Sequence, residues 1–220
     1  MGEYPETVFW TGCPSMDVVA ESDLSLPGDI FEKYKGVGPQ LNPSEPYIVV
    51  LQHPVTTEYG KGFDQINETI RAIEEVNMQT VWLWPNVDAG SDDISKGLRE
   101  YREKKNPDFI HFYRNFSVED YVRLIENSEC LIGNSSSAIR EGAFLGVPAV
   151  SIGTRQSGRE HGDNVIWTDY NSKEILEAIR KQLDHGKYAA SHLYGDGNAG
   201  KRIAEHLANA DILTQKKLAY

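Results

Sequence analysis

The feature that most constrains this chain is a series of short apolar runs separated by amphipathic segments of helical length. The runs fall at Val8–Gly12, Tyr47–His53, Thr80–Pro85, Asp108–Tyr113, Glu129–Gly133, Pro148–Ile152 and Val165–Thr168. Strands covered on both faces read as continuous apolar stretches, and they alternate with helices in parallel sheets. The predicted fold is therefore α/β, a Rossmann-like doubly wound parallel sheet. Phe63, Ile66, Ile70 and Ile73 recur at helical spacing and give one buried stripe. Val118, Tyr121, Val122 and Ile125 give another, opened by Ser117 with Asp120 three residues on, an N-terminal capping pattern. Ile175, Leu176, Ile179 and Leu183 form a third after Ser172, with a stop expected near Gly186. A last helix is expected from about Gly200 to Ala210.

Residues 22–46 are different: rich in Pro and Gly, without a period and with few bulky apolar residues. They read as a long connection between an opening strand-and-turn segment and the main sheet. That opening is unusual for a doubly wound domain, and it suggests a chain that begins inside a larger protein.

Charge narrows the partners. The formal net charge is −11, from 22 basic and 33 acidic residues, with no compensating basic stripe. Nucleic acid is bound largely through neutralising cations, so it is not expected as a partner. A small anion held locally by backbone N–H groups and one or two arginines is compatible with this balance. Apolar stretches such as Tyr47–Leu51 are too short to span a bilayer, and no basic-then-apolar segment opens the chain. The expected location is cytoplasmic. Cys13 and Cys130 sit in strand-like apolar contexts and read as two buried thiols. The six histidines show no ligand-like spacing, so neither a metal nor a cofactor is expected.

In open parallel sheets, ligands bind beyond the carboxyl ends of the strands. Four polar clusters stand directly after predicted strands: Gln52-His53-Pro54 with Thr56 and Thr57, Pro85-Asn86 with Asp88, Gly133-Asn134 with three serines, and Gly153-Thr154-Arg155. The third is the most informative. In LIGNSSSAIREGAFLGVPAV, residues 131–150, an apolar strand meets a Gly-Asn-Ser turn and a helix begins. Its unpaired N–H groups and hydroxyls suit a diphosphate. Glu141, about a turn and a half further on, could accept both ribose hydroxyls of a nucleotide. From the local pattern alone, a plain cap at Ser135 or Ser136 and a solvated Glu141 account for the residues equally well.

The stretch GNSSSAIREGAFLGVPAVSIGTRQSGRE, together with LQHPVTTE, WPNVDAGS and LYGDGNA, resembles the hydrolysing UDP-N-acetylglucosamine 2-epimerases along nearly the whole chain and in the right order. Non-hydrolysing relatives carry an aspartate-serine-double-glycine turn followed by paired acids. Asn134-Ser135-Ser136 and a single Glu141 are similar to the hydrolysing branch instead. The resemblance implies the C-terminal lobe of a two-lobed GT-B fold. Residues 1–21 would start the lobe after an inter-lobe linker, with 22–46 a long connection and 47–198 the UDP-binding domain. Residues 199–220 would form a helix packing back toward an N-terminal lobe that this sequence does not match.

The resemblance further implies that His53, Asn86, the Phe116 backbone, Ser135, Ser136, Glu141 and Arg155 contact UDP or UDP-N-acetylglucosamine. The proton-transferring groups would belong to the other lobe, so this chain alone would be inactive, and the full-length enzyme would be a homodimer or larger. The implied reaction eliminates UDP to leave 2-acetamidoglucal, and water then adds to give N-acetylmannosamine. Two other readings share the fold: the donor lobe of a GT-B glycosyltransferase, and a stand-alone UDP-sugar-binding module. Product analysis separates the first, and failure to gain activity with any N-terminal lobe marks the second. In animal members, a lysine after the DAGS segment helps hold a CMP-activated sialic acid. Asp92 stands there in this chain, while Arg114 keeps a base at a neighbouring position. The resemblance therefore implies a surface that repels that inhibitor.

Overall fold

The computed structural model describes residues 3–210. Its sheet has seven strands: β1 (Gly36–Val37), β2 (Ile48–Leu51), β3 (Thr80–Leu83), β4 (Ile110–Tyr113), β5 (Cys130–Gly133), β6 (Ala149–Ile152) and β7 (Val165–Thr168). They lie in the order β1-β4-β3-β2-β5-β6-β7. All neighbours run parallel except β1, which pairs antiparallel with β4 at the edge. The six parallel strands wind outward from β2 to one side and from β5 to the other, as in Rossmann sheets. The order therefore reverses between β2 and β5, which is where such a sheet opens a crevice for ligand.

Period-two alternation along the strands builds two cores. Ile48, Val50, Trp82, Phe112, Ile132 and Val150 face one layer of helices. That layer holds α3 (Gly62–Val76), α4 (Ser91–Lys105) and α7 (Ser172–His185). Tyr47, Val49, Val81, Tyr113, Leu131 and Ala149 face the other layer. There they meet α2 (Ile30–Lys33), α5 (Val118–Glu126) and the segment around Ile139. Local signals bound the helices. Asn77 and Asn106 take the left-handed conformation after α3 and α4, and the Ser117 hydroxyl caps α5 by accepting the Asp120 N–H. The short α1 (Pro14–Glu21) packs against α5, against α6 (Glu141–Leu145) and against α8 (Ala199–Asn209).

Several expectations are corrected. Val8–Gly12 forms no strand: the segment runs along the surface, with Val8, Phe9 and Trp10 exposed and no sheet partner. Cys13 is accordingly not in a strand; it is half-buried at the start of α1, whereas Cys130 is fully buried on β5. Residues 22–46 are not a bare connection, because they supply α2 and the edge strand β1. Lys33 and Tyr34 anchor α2 through the buried Asp120 carboxylate at 2.5 and 2.6 Å. Val118, read as part of the buried stripe, is exposed, and Leu124 takes its place in the core. The α7 cap is Asn171, whose side chain accepts two backbone N–H groups, rather than Ser172. The final helix expected over 199–220 is described as far as Asn209; residues 211–220 lie outside the described residues.

At Gly133 the β5 backbone passes close against the end of β2. Gly133 has a φ of +130°, and a Cβ there would lie 2.1 Å from the Leu51 carbonyl oxygen. Gly133→Ala is expected to cost about 3 kcal/mol or more, from backbone strain plus overpacking. Gly28→Ala, with open space around it, should stay within about 0.5 kcal/mol. Urea denaturation of both variants checks this.

Candidate nucleotide-binding site

The strand ends at the switch point are knitted together by one side chain. Asn134, directly after β5, is fully buried. Its Oδ1 accepts the His53 N–H at 2.7 Å, and its Nδ2 donates to the His53 carbonyl at 2.8 Å. Its own carbonyl accepts Arg155 Nη1 at 3.1 Å and Gln156 Nε2 at 2.9 Å. Asn134 thus ties the ends of β2, β5 and β6 into one edge. The end of β3 joins through His53, whose Nδ1 accepts the Asn86 N–H at 3.1 Å.

That last bond fixes the histidine tautomer. With Nδ1 accepting, the proton of the neutral ring sits on Nε2 as a donor. Burial, helped by the Arg155 guanidinium and opposed by Asp88, pushes the His53 pKa down to about 4. The ring is therefore neutral across the physiological range. Arg155 is half-buried, with Nη2 4.0 Å from Asp88 Oδ2. Its cation is held at the edge by Asn134 and Asp88 together, and Arg159 extends the line by donating to Gln156 Oε1 at 3.0 Å.

The serine turn differs from its sequence reading. Ser135 caps a three-residue 3-10 turn, Ser136–Ala138, and its Oγ accepts the Ser137 N–H. The backbone breaks at Arg140 (φ −110°, ψ −81°), and α6 begins only at Glu141. Glu141 is therefore the first residue of a new five-residue helix, not one set a turn and a half into a longer one. Its carboxylate lies 3.3 Å from Arg140 Nη2, and burial raises its pKa against the pull of Arg140 and Arg159. Phe116 stands apart after β4, its ring buried against Tyr34 and Tyr113.

His53, Asn86 and Arg155 thus converge through direct hydrogen bonds and Asn134, with Ser135 the next residue along the chain. Sequence reasoning placed Asn134 in a polar cluster without giving it a role, and it missed Gln156. An Asn between an apolar strand and a serine turn was the available signal. The partner 81 residues away was not visible.

Asp92 and Asp93 lie in the first turn of α4, where the helix dipole favours acids. Arg114 instead lines a cleft of about 1030 Å³ with Lys35, Arg99 and Arg102. That cleft gathers four cations and is not lined by Asp92, so the acid and the base named from the sequence do not share it. Among the described residues, no helix is long and apolar enough to cross a membrane, and no group of three His, Cys, Asp or Glu is placed to hold a metal ion.

A doubly wound sheet with donors gathered at its switch point defines a Rossmann-type fold with a candidate nucleotide site. The family model described as UDP-N-acetylglucosamine 2-epimerase matches residues 1–208, and the chain belongs to that family. The UDP-N-acetylglucosamine 2-epimerase of Neisseria meningitidis serogroup B is 33% identical over 214 residues, covering 96% of this chain and 54% of its own length. The hydrolysing UDP-N,N'-diacetylbacillosamine 2-epimerase of Legionella pneumophila is 31% identical over 215 residues, covering 98% and 55%. The chain therefore spans about half the length of these curated relatives. A Methanocaldococcus jannaschii UDP-GlcNAc 2-epimerase, solved in complex with UDP-GlcNAc and UDP, superposes with a TM-score of 0.70 over 95% of this chain and 57% of that one. At 15% identity it shows the shared fold.

The buried neutral His53 makes stability pH-dependent. An unfolded histidine takes up its proton near pH 6.5, whereas the folded ring resists protonation to about pH 4. Its stabilising contribution is full above pH 6.5 and declines as pH falls through the window to about 4, by at most about 3 kcal/mol. His53→Asn, which can keep an acceptor for the Asn86 N–H, should flatten the unfolding free energy over that window. Identical pH slopes in the two proteins would contradict the assignment.

Proposed function

We propose that this chain is the UDP-holding lobe of a hydrolysing UDP-N-acetylglucosamine 2-epimerase. The observation that carries the reading is the ring of strand ends around Asn134. It fixes the backbone of His53, whose Nε2–H is a donor, and the Arg155 cation at one edge of a net-acidic chain, with Ser135 the next residue along. Such fixed donors stabilise charge on a departing diphosphate without reorganising during reaction. In this reading the lobe holds UDP as it leaves. Abstraction of the C2 proton and protonation at addition of water then fall to groups of a second lobe.

Residues 47–198 would bind the nucleotide, with His53, Asn86, Phe116, Ser135, Ser136, Glu141 and Arg155 as contacts. The segment from Ala199 onward would lead back toward the other lobe. The full-length enzyme would work in the cytoplasm as a homodimer or larger, in amino-sugar metabolism of the sialic-acid type. The two curated relatives are named for different sugars, at 33% and 31% identity. UDP is common to both names, so the nucleotide half of the assignment is the same for either sugar.

The chain is expected to bind UDP more tightly than AMP in calorimetry. Glu141→Ala removes hydrogen bonds to a charged acceptor and should weaken UDP about 10- to 150-fold. Unchanged affinity would overturn the ribose role.

Incubated alone with UDP-N-acetylglucosamine, the chain is expected to release no N-acetylmannosamine. Turnover abolished by Ser135→Ala or Arg155→Ala would show that the chemistry lies in this lobe after all.

A further inference from the structure

The loop that carries Arg155 is gripped residue by residue, from the ends of three different strands. Gly153, at a φ of +72°, runs against the ring of Tyr170 just after β7, where a Cβ would lie 2.2 Å from Tyr170 Cζ. Thr154 donates its hydroxyl proton to Glu58 Oε1, in the loop after β2. Arg155 and Gln156 both donate to the Asn134 carbonyl after β5. From Thr154 to Glu160, only Arg155 and Gln156 are withdrawn from solvent. Few other contacts hold the segment, so these bonds matter to its order.

Glu58 ends the 3-10 turn Thr56–Glu58, in the same loop as His53. Its second oxygen accepts Gln65 Nε2, on α3, at 2.5 Å. A carboxylate only accepts, while the amide nitrogen and the threonine hydroxyl supply the protons, so both bonds have one direction. Gln65 lies on the buried face of α3, beside the core residue Ile66. The carboxylate is therefore fixed to a packed helix, and Thr154 is fixed to the carboxylate. Glu58 thus joins the loop that bears His53 to the loop that bears Arg155.

We propose that Glu58 is a positioning residue that clasps the Arg155 loop to the His53 loop and so holds Arg155 ready for a diphosphate. The proposal rests on the UDP-binding reading above. An arginine and the loop beneath it lose conformational freedom when they close on a ligand, and a loop already fixed avoids that cost. Glu58 and Thr154 act through Arg155 and touch no ligand themselves. Asn134 holds the guanidinium and Glu58 holds the neighbouring residue, so the two grips are complementary.

Thr154→Val removes the exposed hydroxyl at nearly constant volume, and Glu58→Ala removes its acceptor. In NMR titrations each should weaken UDP roughly two- to tenfold while leaving the affinity for uridine, which has no phosphate, unchanged. Glu58→Gln keeps an acceptor for the Thr154 hydroxyl and can pair with Gln65 amide to amide, so it should restore the affinity lost in Glu58→Ala. In an Arg155→Ala background, adding Thr154→Val should have no further effect on UDP, a coupling that a merely structural role would not produce. Equal loss of UDP and uridine affinity, a loss with Glu58→Gln as large as with Glu58→Ala, an undiminished Thr154→Val effect without the Arg155 guanidinium, or no effect at all overturns the proposal. UDP binding that persists with any of these results leaves the UDP-lobe reading standing. Failure of the unmodified chain to bind UDP overturns both.

Discussion

The reciprocal pair of hydrogen bonds between the Asn134 amide and the His53 backbone is the interaction on which the site depends. It spans 81 residues of sequence and joins the two strands at which the sheet changes direction. The backbone at such a point leaves its ladder and must find other partners, because a buried unpaired amide or carbonyl costs about 1–3 kcal/mol. Asn134 satisfies the His53 donor and acceptor at once, and its own carbonyl receives Arg155 and Gln156. One buried residue therefore sets the positions of three others. Gly133 permits this by letting the β5 backbone pass the Leu51 carbonyl where a Cβ could not fit.

Electrostatics follow from the same arrangement. A chain of net charge −11 is a poor general host for an anion. Locally the balance is reversed by an arginine fixed in place and a histidine held neutral with its proton pointing outward. A protonated His53 beside Arg155 would place two cations together in a buried setting, and burial with that repulsion is what keeps the ring neutral. The histidine contributes a directed donor and Arg155 the charge. Glu141, half-buried between Arg140 and Arg159, keeps a carboxylate within a basic frame.

Much of the fold was legible because its signals are local. Six apolar runs became strands within a residue or two of their expected ends, since a strand covered on both faces has no polar position to disguise it. The failures are equally physical. Val8–Gly12 has the composition of a strand but no neighbour to pair with, and propensity without pairing does not make a strand. The Pro- and Gly-rich 22–46 segment hid a short helix and an edge strand. What holds α2 there is a carboxylate at Asp120, 86 and 87 residues away, rather than a pattern of its own. The break at Arg140 between the serine turn and α6 carries no Pro or Gly to announce it. Of the site, the residue types and their strand-end positions were readable, and the residue that organises them was not.

By itself the sequence determined the class of architecture, the stop of one helix at Gly186, and the edge of the sheet on which polar residues collect. These depend on periodicities of two and 3.6 residues and on caps within one turn, all short-range properties of the chain. The tertiary structure decided which strand ends meet and which tautomer His53 adopts. It also gathered Lys35, Arg99, Arg102 and Arg114 into one cleft. Each of these depends on atoms brought within about 3–4 Å, or around one cavity, by the crossing of a parallel sheet. Sequence spacing carries no record of that proximity.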